Sequence, residues 1–215
     1  MNDDAMPIKS SLTVPYLDDP AVVFRVLWYI VASERGVYLT EYSEQESTEF
    51  EGSAEFTVRH DDTPLKIGFS VEGKDSNVHL TASGPNKEIV DAYLRKVSMS
   101  ANASLDKYRV LDTIQMGKVR RALVAKTNWD RLVFLILNKR PLSEVYYQVA
   151  HGREMMIKAT EGEELHPITL NTSAWLSQIE KLSREEPLPA DIATSLAKKS
   201  VEWKQATIEV IRHYI

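Results

Sequence analysis

Apolar side chains follow one another almost without interruption near the start of the chain. Residues 21–32 are apolar or aromatic at every position except Arg25. Residues typical of helix ends flank this run: Asp18 or Asp19 as N-cap, Pro20 at the first helical position and Gly36 beyond the last turn. Such a helix is about 20 Å long, too short for a hydrocarbon layer of about 30 Å. Because it is apolar on every side, we expect it to be buried at the centre of a domain.

Farther along the chain, the apolar residues recur at every second position. Apolar and polar side chains alternate through residues 54–59, 65–72 and 77–82. Turn-forming residues separate the three segments, at 60–64 and at 73–76. This pattern predicts three half-buried strands joined as an antiparallel meander, with one apolar face and one polar face.

Two further strands and a second helix complete the prediction for the first hundred residues. Val37–Tyr42 is predicted as a strand and Ile8–Val14 as an edge strand, and apolar residues recur at helical spacing from 89 to 97. The element order is then β-α-β-β-β-β-α. We therefore predict an α+β fold for residues 1–100, in which an antiparallel sheet of about four to five strands is wrapped on the buried helix.

Residues 101–215 are predicted to form a mainly α-helical second domain. The small and polar segment Met99–Ser104 is the predicted boundary between the two halves. Thr172–Leu182 has the spacing of an amphipathic helix. After Pro189, a long amphipathic helix of about 25 residues closes the chain.

The segment between this boundary and the closing helices has two interpretations. Trp129–Asn138 is predicted as a short helix capped by Thr127 or Asn128. Met155–Ala159 and Leu165–Leu170 are predicted as the strands of a small hairpin. One interpretation makes these elements part of a winged helix that contacts DNA. The other, which we favour because the expected recognition helix is short or missing, makes the helices a bundle around a core.

Composition excludes several classes of site. The chain of 215 residues has no cysteine, so it has no disulfide, thiol nucleophile or cysteine-bound metal. None of its five histidines stands at a metal-ligand spacing, and there is no phosphate-binding glycine loop or nucleophile elbow. We therefore predict no metal and no cofactor. The lack of any recognisable catalytic constellation favours a non-enzymatic role.

Charge is distributed unevenly along the chain. Residues 1–100 contain nine Lys/Arg and 17 Asp/Glu, whereas residues 107–140 contain nine Lys/Arg and two Asp. A local excess of cations is typical of contact with an anion such as nucleic acid. The candidate residues for that contact are Lys118, Arg120, Arg121, Lys126, Lys139 and Arg140. The favoured alternative is that this segment packs beside the acidic first half of the same chain or of a second subunit.

Arg25 and Trp28 are the candidate site residues on the buried helix. A guanidinium on such a helix needs a carboxylate partner, a path to solvent or an anionic ligand. We favour an ion pair with a carboxylate of the acidic sheet, and keep an anionic ligand as the alternative. Trp28 is placed where an apolar pocket between sheet and helix would lie.

These observations favour a non-enzymatic binding or adaptor protein that acts through protein–protein contacts or self-association. One alternative is a nucleic-acid-binding regulator that uses the basic segment 107–140. Another is a carrier of a small apolar ligand held between sheet and helix. The first residues, MNDDAMPIKSS, contain no apolar leader segment and no membrane span follows, so we expect a cytoplasmic protein.

Overall fold

The computed structural model describes residues 7–16, 18–34, 36–46, 49–60, 62–72, 77–160, 167–182 and 185–215. Within this part of the chain, the strands come first and most helices follow. The strands are β1 (Ile8–Pro15), β2 (Tyr38–Glu46), β3 (Phe50–His60), β4 (Thr63–Glu72) and β5 (Asn77–Gly84). The helices are α1 (Pro20–Ala32), α2 (Lys87–Arg109), α3 (Thr113–Leu137), α4 (Leu142–Ala159), α5 (Pro167–Ile179) and α6 (Ala190–Arg212). The fold is therefore α+β, as predicted.

The chain divides into two compact units, Met1–Asp106 and Lys107–Ile215. The division falls near the end of α2. Residues Met99–Ser104, where the sequence places a boundary, lie inside that helix. The helix continues because Val97, Ala101 and Leu105 repeat its buried face at intervals of four residues.

The first unit is a five-stranded antiparallel sheet in the order β1-β5-β4-β3-β2. The predicted meander is confirmed as β3, β4 and β5, and the predicted edge strand is β1. Alternate side chains such as Phe56, Ile67 and Leu80 are buried, and α1 packs against β3 and β4. We call this side of the sheet the inner face and the opposite side the outer face. The apolar inner face is thus covered by an equally apolar helix, which removes both from water.

The ends of α1 follow the predicted signals. Asp19 is its N-cap, and the Asp19 Oδ1 atom accepts a hydrogen bond from the Ala21 N–H at 2.9 Å. Pro20 occupies the first turn, where its missing N–H is not needed. Every residue from Val22 to Tyr29 is buried, which confirms that this helix lies at the centre of the first unit.

The strand predicted at Val37–Tyr42 runs instead from Tyr38 to Glu46. Its register with β3 shifts between Leu39 and Glu41, which marks a β-bulge at Thr40. An extra residue in one strand reverses the faces of all later side chains relative to simple alternation. Glu44 is consequently directed to the inner face rather than to solvent, as its contact with Arg25 shows.

The short helix predicted at Trp129–Asn138 is wrong, because α3 is one helix from Thr113 to Leu137. A capping box between Asp112 and Gln115 begins it. Thr127, predicted as a cap, donates its hydroxyl hydrogen bond to the Leu123 carbonyl at 3.0 Å within the helix. A threonine inside a helix can donate its hydroxyl to the carbonyl four residues earlier, so Thr127 does not end the helix and α3 continues through it.

The predicted hairpin is also wrong, and with it the proposed wing of a winged helix. Met155–Ala159 is the last part of α4, and residues 167–170 begin α5, while Leu165 lies outside the described residues. Met156 and Ala159 continue the buried face that Val149 and Gly152 occupy on the preceding turns of α4. Helical packing therefore prevails over the short apolar runs from which the sequence predicts strands.

Trp129 on α3 is the centre of the helical unit. Its ring lies 5.2 Å from the Trp203 ring on α6, and its indole N–H donates to Thr207 Oγ1 at 3.0 Å. A Cβ atom at Gly152 on α4 would lie 2.5 Å from the Trp129 ring, so only glycine allows α4 to approach this closely. The three helices thus share one core, which confirms the helical character of the second half.

Candidate functional site

The outer face of the sheet carries small polar side chains in two aligned rows. The pairing of the strands defines the first row as Glu41, Glu55, Gly68, Thr81 and Ser11, and the second as Ser43, Ser53, Ser70, His79 and Thr13. All these residues are exposed or half-buried. The face is therefore open to solvent across all five strands, and no large apolar side chain stands in either row.

Two adjoining depressions cross this face and form one groove. Their volumes are about 280 Å³ and about 370 Å³, and both are lined by Glu55, Gly68 and Thr81. Gly68 lies where the two depressions meet, and there Thr81 Oγ1 donates a hydrogen bond to the Gly68 carbonyl at 3.4 Å. An added Cβ at Gly68 would lie 2.9 Å from that hydroxyl oxygen. The absence of a side chain there exposes the backbone of the central strand to a partner.

Charge on the outer face is graded from one end of the strands to the other. Lys9 and Lys66 belong to one end, and the paired residues Glu51 and Glu72 to the other. Glu55 lies between them and accepts hydrogen bonds from Lys66 Nζ at 3.3 Å and Thr40 Oγ1 at 3.1 Å. These charges are exposed, so they contribute little to stability and are accessible to a charged partner.

The outer face lacks the geometry of a nucleophilic site. Ser70 stands opposite His79 in the strand register. The His79 Nδ1 atom, however, is 3.1 Å from Thr13 Oγ1, and the described residues show no hydrogen bond between Ser70 and His79. A serine nucleophile needs such a bond to a base. In the described residues, this pair therefore lacks the contact that would activate Ser70.

Arg25 and Glu44 form an ion pair on the inner face. The two side chains keep only 9 % and 10 % of their surface exposed. The pair thus supplies Arg25 with the carboxylate that a buried guanidinium needs. Sequence reasoning missed Glu44, because the bulge at Thr40 breaks the simple alternation from Leu39 that would direct Glu44 to solvent. Its position two residues beyond the inward-facing Tyr42 was the available signal.

Trp28 is completely buried in a cluster of aromatic rings. Its ring centre lies 5.6 Å from that of Phe24, 5.2 Å from that of Phe56 and 6.2 Å from that of Tyr42. All three contacts are edge-to-face, the arrangement that aromatic quadrupoles favour. These rings occupy the space between sheet and helix where an apolar ligand would have to lie.

The six basic candidates do not share one surface. The prediction that Lys126 contacts an external anion is wrong, because 0 % of its surface is exposed. Arg120 donates to Tyr108 Oη at 2.5 Å, Arg121 donates to the Lys158 carbonyl at 3.2 Å, and Arg140 is paired with Glu144 at 2.9 Å. Lys118 and Lys139 are separated by most of α3, about 30 Å at 1.5 Å per residue. The positive excess of this segment is therefore dispersed.

Lys126 belongs to a cluster of three charges in the second unit, in which Lys126 and Asp130 are buried and Lys204 is partly exposed. Its Nζ atom donates to Asp130 Oδ2 at 2.6 Å, and Lys204 Nζ lies 2.8 Å from Asp130 Oδ1. Burial lowers the pKa of Lys126 to about 7, although Asp130 attracts its charge. Burial alone would raise the pKa of Asp130, but the two ammonium groups outweigh it and hold that pKa below its ordinary value. One carboxylate thus compensates two amines.

Because of Lys126, we expect the stability of the protein to rise between about pH 7 and about pH 10. An unfolded lysine keeps its proton up to a pKa of about 10.4, whereas the buried Lys126 loses it near 7. Across that window the unfolded chain binds the extra proton, so the free energy of unfolding increases with pH. Urea denaturation of the wild type and of Lys126→Met at about pH 7 and about pH 9 measures this effect, which we expect to favour the wild type by about 2–3 kcal/mol more at the higher pH.

The comparison with Lys126→Met cancels the titration of groups that the two proteins share. Tyr93 is one of them, since burial and the neighbouring Glu34 carboxylate raise its pKa. A difference between wild type and variant that is the same at both pH values would contradict the expected depression of the Lys126 pKa.

No protein-family model matches this chain, and neither a curated protein nor a solved structure matches it. The described residues bring together no three His, Asp or Glu side chains that are placed to hold a metal ion. Among those same residues, none of the helices is both long enough and apolar enough to cross a membrane. The outer face of the sheet is therefore a candidate site on the basis of its geometry alone.

Proposed function

We propose that this chain is a non-enzymatic protein-binding module and that the outer face of the sheet is its docking surface. The observation that carries the proposal is the open groove across five strands, lined by small polar side chains. Five strands at a spacing of about 4.8 Å and eight residues at about 3.3 Å give a face of roughly 600 Å². A standard protein interface covers about 800 Å² on each partner, so this face is close to the size required.

The chemistry of the groove indicates the kind of partner segment it accepts. Serine and threonine hydroxyls both donate and accept hydrogen bonds, so they suit the main chain of an extended segment. The exposed backbone at Gly68 allows that main chain to approach the sheet closely. Glu41 and Glu55 line the groove and favour a segment that carries lysine or arginine.

The two alternative functions receive less support from the geometry. Phosphates would be repelled by Glu41, Glu51, Glu55 and Glu72 on the outer face, and the cations of the basic segment are dispersed. An apolar ligand would have to displace the rings packed around Trp28. Removing buried aromatic contacts of this kind costs about 3–5 kcal/mol, which such a ligand would have to offset.

Substitutions that fill the groove test the proposed docking surface. Random peptides displayed on phage are selected on the full chain, and the affinity of the selected peptides is measured by fluorescence anisotropy. We expect basic peptides to be selected, and Ser53→Arg or Ser70→Arg to weaken their binding at least about tenfold, or about 1.4 kcal/mol. The same substitution at the exposed Ser195 of α6 is the matched control and should leave the affinity unchanged.

Two outcomes would contradict the proposal. In the first, the selected peptides bind the wild type and both groove variants equally, which would place their site elsewhere. In the second, random duplex DNA, single-stranded DNA or RNA binds with a steep salt dependence that is lost when Arg120 and Arg121 are neutralised. That result would support the nucleic-acid alternative instead.

A further inference from the structure

The two edges of the sheet are protected to different degrees. β2 has a bulge at Thr40 and contains three glutamates, and both features discourage pairing with another strand. β1 has neither feature, since its eight residues pair with β5 in unbroken register and its one charged residue is Lys9. In the described part of the chain, β5 is the only strand that pairs with β1.

The inner-facing side chains of β1 are incompletely covered. Leu12 and Val14 are half-buried, and Ile8 keeps 38 % of its surface exposed. On the neighbouring β5, by contrast, Val78, Leu80 and Ala82 are fully buried. A strand added beside β1 would therefore cover apolar surface as well as pair backbone groups.

We propose that β1 pairs with β1 of a second copy of this chain, antiparallel about a two-fold axis through Ser11, so that two sheets form one of ten strands. A closed two-fold contact uses the same edge on both copies. This inference goes beyond the docking function and does not depend on it. It concerns the edge of the sheet, whereas the docking surface is its outer face.

The register follows from the sequence of β1. Residues directly opposite each other in an antiparallel pair lie on the same face of the sheet. Centred on Ser11, the pairing brings Ile8 opposite Val14 on the inner face and Lys9 opposite Thr13 on the outer face. Ile8 and Val14 thus meet, Ser10 stands opposite Leu12, and no like charges stand opposite each other.

Other pairings are less favourable. Centring on Leu12 would bring Ile8 opposite Tyr16, which lies beyond the end of β1, and would bring Pro15, which has no N–H, into the ladder. Pairing β2 with itself about Glu44 would place that carboxylate opposite its own copy. Pairing β1 with β2 would be head-to-tail, and such contacts continue into open assemblies unless the rotation closes.

A single introduced cysteine tests the register, because the natural chain has none. In Ser11→Cys the two sulfur-bearing residues would face each other, with Cα atoms about 4.5–5.5 Å apart, and a disulfide spans Cα distances of about 4.4–6.8 Å. Oxidation with copper phenanthroline should therefore convert most of the variant to a covalent dimer on a non-reducing gel. Thr13→Cys is the matched control, because its two copies would lie about 13 Å apart and should not be linked.

Sedimentation velocity of the full chain gives an independent measurement. The wild type and Thr13→Glu, whose carboxylate would face Lys9 of the second copy, should be dimers, and Ser11→Glu, which opposes two carboxylates, should be a monomer. A monomeric wild type, failure of Ser11→Cys to cross-link, or equal cross-linking of both cysteine variants would overturn the proposal. The groove variants Ser53→Arg and Ser70→Arg lie on β3 and β4, away from this edge, and are expected to remain dimers while losing peptide affinity, so failure of this inference is distinguishable from failure of the docking function.

Discussion

Replacing Asp130 with asparagine is expected to lower the free energy of unfolding by about 3–5 kcal/mol, the usual result of removing one partner from a buried ion pair. Asp130 is the carboxylate that both Lys126 and Lys204 contact. Asparagine has nearly the same shape, so the loss would come from charge rather than from packing. Without the carboxylate, Lys126 is left fully buried beside a second amine and has to give up its proton in the folded state.

Urea denaturation at neutral pH measures this loss, and two variants separate its causes. Lys126→Met removes the most deeply buried charge and keeps the volume, so we expect it to be neutral or stabilising by about 1–4 kcal/mol. Adding Lys126→Met to Asp130→Asn should recover much of the lost stability. The penalty of Asp130→Asn should also shrink at alkaline pH, since a neutral Lys126 no longer requires the carboxylate. An equal loss in Lys126→Met and Asp130→Asn would contradict this explanation.

Replacing Arg25 with methionine is the second change with a large expected effect, a loss of about 3 kcal/mol or more. Methionine fills a similar volume on α1 but removes the guanidinium that contacts Glu44. The Glu44 carboxylate would then remain at a site where its side chain is nine-tenths buried. Desolvation without this opposite charge raises the free energy of the folded state.

The double variant Arg25→Met with Glu44→Leu distinguishes a broken ion pair from a damaged core. We expect it to be markedly more stable than Arg25→Met alone, because both charges are then absent. The exposed pair of Lys66 and Glu55 is the matched control, and Lys66→Met should change stability by less than about 1 kcal/mol. Losses that simply add in the double variant would show that Arg25 and Glu44 are not coupled. Retained stability in Arg25→Met alone would also contradict the prediction.

Exposure divides the charged residues of this chain into two groups. The clusters around Asp130 and Arg25 are buried, so their charges act on stability. Glu41, Glu55 and Lys66 on the outer face are exposed or half-buried, so their charges are accessible to the proposed partner. Variants of the first group should therefore change unfolding, and variants of the second should change the binding of peptides.

The charge pattern along the sequence did not reveal this division. Lys126 and Asp130 are four residues apart on a helix, a spacing that is also typical of exposed pairs. Their burial results from α4 and α6, which pack around α3 and bring Lys204 to the same carboxylate. The available signal was the apolar residues three or four positions away on the same face of α3, namely Ala122, Leu123 and Trp129.

The sequence by itself determined the elements whose side-chain period is unambiguous. The apolar run of α1 leaves no polar face for solvent, and strict alternation in β3, β4 and β5 is compatible only with strands covered on one side. Local propensity failed at Thr127 and at Met155–Ala159. A threonine is compatible with a helix cap and with a helix interior, and a short apolar run is compatible with a strand and with a helix. Packing of the helices selected the helix interior in both places.

Only the tertiary structure decided which distant side chains meet. The bulge at Thr40 directs Glu44 toward Arg25, and strand pairing places Gly68 beside Thr81 in the groove. Such contacts depend on register, and a shift of one residue reverses which face a side chain occupies. Alternation in the sequence defines the two faces of a strand, but it does not specify which residues of the neighbouring strand stand opposite. The buried charges and the outer face are therefore properties of the assembled sheet and helices, while their building blocks are properties of the sequence.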